Sequence, residues 1–516
     1  MTSVSRSASR GYVAALVAAF LGWLFDGFEM GLFPLIGKPM LTDLLPKGVP
    51  PAESALLLGQ WFTVIIATFL VGAATGGVLF GWLGDKLGRV KAMALAIFTF
   101  AIFSGLCAFV THAWQFAGLR FIASLGMGGE WSLGVALVNE LWAGRNRAWI
   151  AGMIGAASNV GFLLTGILSM WLNAHPESLV QALSSLGMSA DFAGTRAWRV
   201  IAISGALPAL INFFILFAVP ESHKWEEEKK AGKTSHWATG DLLGVLVAGL
   251  AALAIIWAWS PLWSFGDSAA TVVTLVGLAV AMLGYLHPVR KYMGRFAAAE
   301  TGSAGEHKHV MRNLLLGAGL AAVALLGTWG SAQQAAKWAT GLLPAGSKFP
   351  IIDHVVIATA LGAILISLIT PLVADKLGRR LTYTLLCILS FGGAYAFFKT
   401  NTPFATENIP VWFYVSAFLL GGLTASFYGF FPLYFPELFP TSVRATGQGF
   451  CFNFGRVIAA VGSLQLANLV RFFGSNASTT GVSGTEAQAY MALSCVYFVG
   501  MVLVWFAPET KGHQLK

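Results

Sequence analysis

An all-helical, polytopic membrane protein with an internally repeated body is what this sequence predicts, and three observations predict it. Of the 516 residues, 56% are hydrophobic and only 11% charged, against roughly 25% charged in a soluble domain, and the mean hydropathy is +0.71. Apolar runs long enough to cross a bilayer recur along the whole chain. The pentapeptide Asp85-Lys86-Leu87-Gly88-Arg89 returns unchanged as Asp375-Lys376-Leu377-Gly378-Arg379, each time between two such runs.

In chain order, the first run starts at Tyr12, after Arg6 and Arg10, and continues to Ile36 without a small-x-small cleavage site, so it reads as a span and not as a leader. Further runs lie near 56–80, 92–111, 115–142, 148–172 and 198–219. A polar stretch from Lys224 to Lys233 leads to two more, 242–260 and 269–286, joined by Pro261 to Asp267. A second polar stretch, Arg290 to Arg312, precedes 313–341, 354–374, 381–398, 411–433, 446–470 and 488–507. Fourteen spans are thus expected, as six, two and six: a bundle at 1–222, linkers with two inserted helices at 223–312, and a bundle at 313–516.

An even number of inserted spans returns the chain to the side it left, so both bundles keep one orientation about a pseudo-two-fold axis. Placing both termini inside puts 22 Lys and Arg in cytoplasmic segments and 7 outside. The net charge of +9 is then mostly topology, not a nucleic-acid footprint. Cys107, Cys387, Cys451 and Cys495 sit singly inside apolar runs, and the spacing of His307 and His309 fits a loop better than a metal site, so neither metal nor cofactor is expected.

The repeat extends beyond the pentapeptide. Glu140-Leu141 with Arg147-Ala148 is echoed at the same spacing by Glu437-Leu438 with Arg444-Ala445. These groups fall at cytoplasmic helix ends beside the two charged turns, where carboxylate–guanidinium pairs can hold one conformational state. Gly81, Asp85, Gly88, Arg89, Glu140, Arg147, Asp375, Arg379, Glu437 and Arg444 are the expected latch.

Ionisable side chains inside spans are costly and therefore functional candidates. Asp26 and Glu29 lie three residues apart on one helix face, Arg120 and Glu130 lie on the fourth span, and Arg456 lies on the span near 446–470. At ~1.5 Å of rise per residue, Asp26 and Arg120 reach the same depth from opposite ends. They are the expected ion pair, with Glu29 and Glu130 as further proton-coupling candidates. Arg456 is suited to hold a carboxylate, and Asn453, Gln333, Gln334, Trp131 and Tyr428 are taken as further substrate-binding candidates.

The turn Gly81 to Lys91 resembles the loop between the second and third helices of major facilitator superfamily transporters. Trp23-Leu24-Phe25-Asp26-Gly27-Phe28-Glu29, the stretch Arg120 to Trp131, Pro220-Glu221-Ser222, and Arg444 to Phe450 with Asn453-Phe454-Gly455-Arg456 are similar to the sialate:proton symporter family, a relative of the aromatic-acid:proton symporters. Glu29 and Trp131 stand where Asp and Tyr are expected in many members. The resemblance implies a monomeric plasma-membrane transporter that imports a small organic anion, sialic acid or another carboxylate, by proton symport. Proton-driven efflux and a substrate sensor that does not transport are the alternatives. An enzyme is not expected, since no nucleophile–base grouping is visible.

Overall fold

A computed structural model describes residues 3–141, 146–175, 197–206, 218–299, 304–344, 349–475 and 482–512, with isolated positions between them. Among these, all regular structure is helical. The first half contains α1 (Ser3–Leu44), α2 (Pro51–Leu87), α3 (Arg89–Leu106), α4 (Ala113–Leu141), α5 (Arg147–Ala174) and α6 (Ala197–Ile203). Between the halves lie α7 (His223–Lys230), α8 (Leu242–Ala258) and α9 (Asp267–Ala299). The second half contains α10 (Ala304–Gly330), α11 (Ala335–Thr340), α12 (Ile351–Leu377), α13 (Arg379–Thr400), α14 (Val411–Tyr434), α15 (Arg444–Leu464), α16 (Leu466–Ser475), α17 (Val482–Ser494) and α18 (Val496–Leu503).

Twelve helical stretches among the described residues are long and apolar enough to cross a membrane, or up to thirteen if α15 and α16, bent by 40°, count as one span. The fourteen expected from the sequence are therefore not reached. The expected sixth span, 198–219, lies partly outside the described residues, which leave out 207–214, 216 and 217. His307 and His309 fall on α10 and not in a loop, because that helix begins at Ala304, ahead of its apolar portion.

The internal repeat is visible in the packing. In the first half α1 packs on α5 and α2 on α4; the matching contacts in the second are α10 on α15 and α12 on α14. The halves meet along two seams, α2 against α15 and α5 against α12. Each charged turn needs a left-handed residue between two helices, which glycine supplies: Gly88 has φ +114° and Gly378 φ +96°. Close approach explains Gly77 equally directly, because a Cβ there would collide with the Asn453 side chain across the α2–α15 seam.

The inserted helices α8 and α9 form a tight hairpin, with Gly244 and Gly284 at the crossing. The hairpin lies over the α2–α15 seam: α8 packs on α2, and α9 touches α15 and α10. Its polar anchors point toward the first half, where the Thr75 and Tyr285 hydroxyls are 2.7 Å apart and Lys86 Nζ donates to Thr239 Oγ1 at 3.3 Å. Trp237 stacks on Tyr292 at 4.3 Å and closes the hairpin's base. Leu246, Leu250, Leu275 and Leu283 on this hairpin, with Phe98, Ile388 and Val502 elsewhere, are exposed, as a lipid-facing belt requires.

Candidate functional site

Two polar constructions sit between the halves: a network at the end carrying the charged turns, and a cavity deeper in the bundle. In the network, Arg89 donates to Asp85 Oδ1 at 2.5 Å and to Glu140 Oε1 at 3.1 Å. Glu140 Oε1 also accepts from Arg444 of the other half at 3.2 Å, and Ser222 Oγ donates to Glu140 Oε2. Asp85 Oδ2 crosses the seam, accepting the Thr446 backbone N–H at 2.8 Å and its hydroxyl at 2.5 Å. The second half repeats the pattern: Arg379 donates to Glu437 Oε1 at 2.7 Å, Arg147 of the first half pairs with the same oxygen at 3.4 Å, and Thr510 Oγ1 donates to Glu437 Oε2 at 2.5 Å. All ten expected latch positions lie at this end of the bundle.

The repeat is broken at one place. Asp85 is buried and bonded across the seam, whereas the Asp375 side chain is 60% exposed and lies 3.5 Å from Arg379. A further pair was missed by the sequence reading. Glu221 accepts the N–H groups of Arg89 and Val90 at 2.9 and 3.2 Å, and Glu509 accepts those of Arg379 and Arg380 at 2.9 and 3.1 Å. Each carboxylate therefore caps the orphan donors, and sits at the positive end, of a helix that follows a charged turn. The signal was present as Pro220-Glu221-Ser222 and Pro508-Glu509-Thr510. These bonds hold the Glu509 carboxyl below its ordinary range, even though burial pushes it the other way. For Glu221 burial outweighs the same bonds, and its carboxyl is raised.

The cavity has a free volume of about 130 Å³. Trp23, Ser158, Asn159, Gln333, Tyr428 and Arg456 line it together with apolar residues of both halves. It shares Gly31, Ile352 and Val356 with a larger recess at the opposite end of the bundle, beside Asp353 and Ser169, so the two spaces adjoin. Arg456 is buried, and its Nη1 has no hydrogen-bond partner among the described residues. The threonine hydroxyls here are already committed: Thr328, Thr359 and Thr424 donate to backbone carbonyls.

The expected ion pair is corrected by the geometry. Arg120 pairs with Glu29, not Asp26; Ser104 Oγ donates to Glu29 Oε1 at 3.3 Å, and the guanidinium lies over the Phe69 ring at 4.9 Å. Depth counting places both acids near Arg120, but one helical turn separates them, and the upper one is the one that reaches it. Asp26 instead lies within electrostatic reach of the Glu130 carboxyl and of Arg456, with no hydrogen bond joining the two carboxyls. Neither carboxyl accepts a hydrogen bond from any donor among the described residues. Gly22 makes the room for this, since a Cβ there would occupy the place of Glu130 Oε1.

Three substrate candidates are displaced from the cavity. Asn453 Nδ2 donates to Gly128 O at 3.2 Å across the halves and faces α2, because its helix turns that side to the seam. Trp131 lies beneath the cavity, stacked on Phe452. Gln334 Nε2 donates to Trp329 O at 3.3 Å and does not line the space. Phe452 and Trp23, which do line it, were not singled out as substrate-binding.

Comparison with known proteins agrees with this architecture. Residues 14–241 match the family described as sugar (and other) transporter. The cis,cis-muconate transport protein of Acinetobacter baylyi is 24% identical, over 98% of this chain and 96% of the relative. Low affinity inorganic phosphate transporter 8 of Medicago truncatula is 24% identical, over 97% and 89%. The proton:xylose symporter XylE, solved with 6-bromo-6-deoxy-D-glucose bound, superposes with a TM-score of 0.66 at 18% identity, over 98% of both chains. The chain is thus a multi-pass membrane protein with the fold of the major facilitator superfamily, and its first half carries the sequence pattern of the sugar (and other) transporters.

Proposed function

We propose that this chain is a proton-coupled secondary transporter that carries a small organic anion across the cell membrane, with residues 1–222 and 313–516 rocking about the cavity between them. The observation that carries this reading is the buried, unpartnered Arg456 Nη1 at a cavity wall, with Asp26 in electrostatic contact behind it. A buried guanidinium with a free donor suits a carboxylate. Two buried carboxyls in contact cannot both be ionised, so Asp26 and Glu130 can hold one proton between them. When they hold it, Arg456 is free for an anion; when they lose it, Asp26 competes for Arg456. Proton and anion therefore favour one another's binding, the requirement for symport.

The muconate transport protein among the relatives supports a compact carboxylate, beside sialic acid, the substrate implied by the sequence resemblance. The test is uptake of labelled cis,cis-muconate, benzoate, sialic acid and phosphate into proteoliposomes, with and without an inward proton gradient. Uptake of at least one carboxylate stimulated by the gradient is expected. Phosphate alone, or no dependence on the gradient, overturns the reading.

In the membrane we place both termini and both charged turns on the cytoplasmic side, in a fourteen-span arrangement that counts 198–219 as a span. The tip of the inserted hairpin then faces outward, and the thiol of Ser264→Cys should react with impermeant reagent added outside. Reaction only from the cytoplasmic side removes this topology.

A further inference from the structure

The floor of the cavity is a stacked aromatic pair that crosses the halves. Trp131 of α4 and Phe452 of α15 stack with centroids 4.0 Å apart and planes at 17°. Both are buried. Counting ~1.5 Å per residue, Phe452 stands roughly 12 Å above Arg444 and Trp131 roughly 15 Å above Leu141, so the two rings meet at one level between the cavity and the charged network. Only Phe452 touches the cavity. Trp23, Tyr428 and Phe431 surround it at 6.3, 6.1 and 6.1 Å, and the Arg456 guanidinium lies over its ring at 5.0 Å.

We infer that Phe452 is the positioning residue through which the placement of the Arg456 guanidinium controls the Trp131–Phe452 floor. An aromatic ring held by a cation is pinned in place, and here the pinned ring is half of the aromatic stack between α4 and α15. Directly below it, Gln448 Nε2 donates to Ser132 O, so the same two helices are tied again on the far side of the stack. The floor must part if anything is to pass from the cavity toward the Asp85 end. An anion that takes up the donors of Arg456 draws the guanidinium off the ring and weakens the floor beneath itself. The last step rests on the anion-binding reading; the mechanical link from Arg456 through Phe452 to Trp131 does not.

The test needs no substrate. Ser132 is buried just below the stack, so the thiol of Ser132→Cys, in the full chain with Cys107, Cys387, Cys451 and Cys495 replaced, reports the floor to a small impermeant thiol reagent entering through the cavity. Phe452→Leu should raise the labelling rate by about tenfold, the scale of an aromatic stack. Phe452→Tyr, which keeps the ring, should restore the slow rate and serves where the leucine variant folds poorly. Arg456→Gln should raise the rate several-fold in the parent and add nothing to Phe452→Leu. Equal, additive effects of Arg456→Gln with and without the Phe452 ring overturn the inference, as does an unchanged rate in Phe452→Leu. Uptake by Arg456→Gln is measured in parallel: retained carboxylate uptake removes the anion-binding reading and leaves the labelling result standing.

Discussion

Asp26→Asn should keep exchange of labelled for unlabelled anion across the membrane and lose accumulation driven by a proton gradient. Asn presents the neutral, protonated face of the carboxyl at every pH, so Arg456 is never claimed by Asp26 and stays open to an anion. A unit of pH gradient supplies about 1.4 kcal/mol, or about tenfold accumulation per proton, and the variant should lose that factor. Because Asp26 and Glu130 lie within electrostatic reach of one another and accept from no donor among the described residues, Glu130→Gln should uncouple in the same way. Glu29→Gln should do something different. It strips Arg120 of its carboxylate partner, and a buried guanidinium left uncompensated costs about 3–5 kcal/mol. The expected result there is poor yield and lowered thermal stability, not uncoupling. Parental accumulation by both Asp26→Asn and Glu130→Gln eliminates the shared proton, and uncoupling by Glu29→Gln alone transfers it to the Arg120 pair.

That assignment differs from the pairing the sequence suggests, and the reason is geometric. Rise per residue fixes how deep a side chain lies, and Asp26, Glu29, Glu130 and Arg120 were all legible as intramembrane charges on that basis. It does not fix which way each helix is rotated. In a soluble helix the apolar stripe would supply the rotation, but spans that are apolar on every side carry little such signal, and the one-turn choice between Asp26 and Glu29 was left to depth alone. Trp131 and Asn453 failed for the same reason: their helices were placed correctly but turned toward the seam and not the cavity. Features that recur in the sequence fared better, because a repeat supplies its own control. The two charged turns, the Glu140 and Glu437 ends and the two bundles of like packing were all readable from it. The Glu221 and Glu509 caps were readable too, from the repeated Pro-Glu followed by a hydroxyl residue, had that echo been treated as a third copy of the pattern.

The repeat also misleads in one respect, and the consequence is measurable. Asp85 and Asp375 stand in identical pentapeptides, yet Asp85→Asn should open the charged end of the bundle and Asp375→Asn should hardly affect it. Asp85 ties the halves together through two bonds to Thr446 and anchors Arg89. Counting from Arg147-Ala148 and Arg444-Ala445, the residue corresponding to Thr446 in the first half is Trp149, which has no hydroxyl to offer and is 48% exposed. Among the described residues Asp375 consequently makes a long contact to Arg379 one turn on, with most of its side chain exposed, and a pair of that kind is worth about 0–1 kcal/mol. For Asp85 the coupling between the closed and open states is expected at about 1–3 kcal/mol, a shift of about 5- to 150-fold in their ratio. Spin labels at Lys91 and Leu381, on α3 and α13 at this end, would report the separation of the halves. Asp85→Asn should populate a longer distance, Thr446→Val should reproduce a good part of that change, and Asp375→Asn should leave the parental distribution. Anion binding at Arg456, well above this network, should survive in all three. Equal shifts from the two aspartates would mean that the turns act as local helix connectors and that the bond across the α2–α15 seam does not hold the closed state.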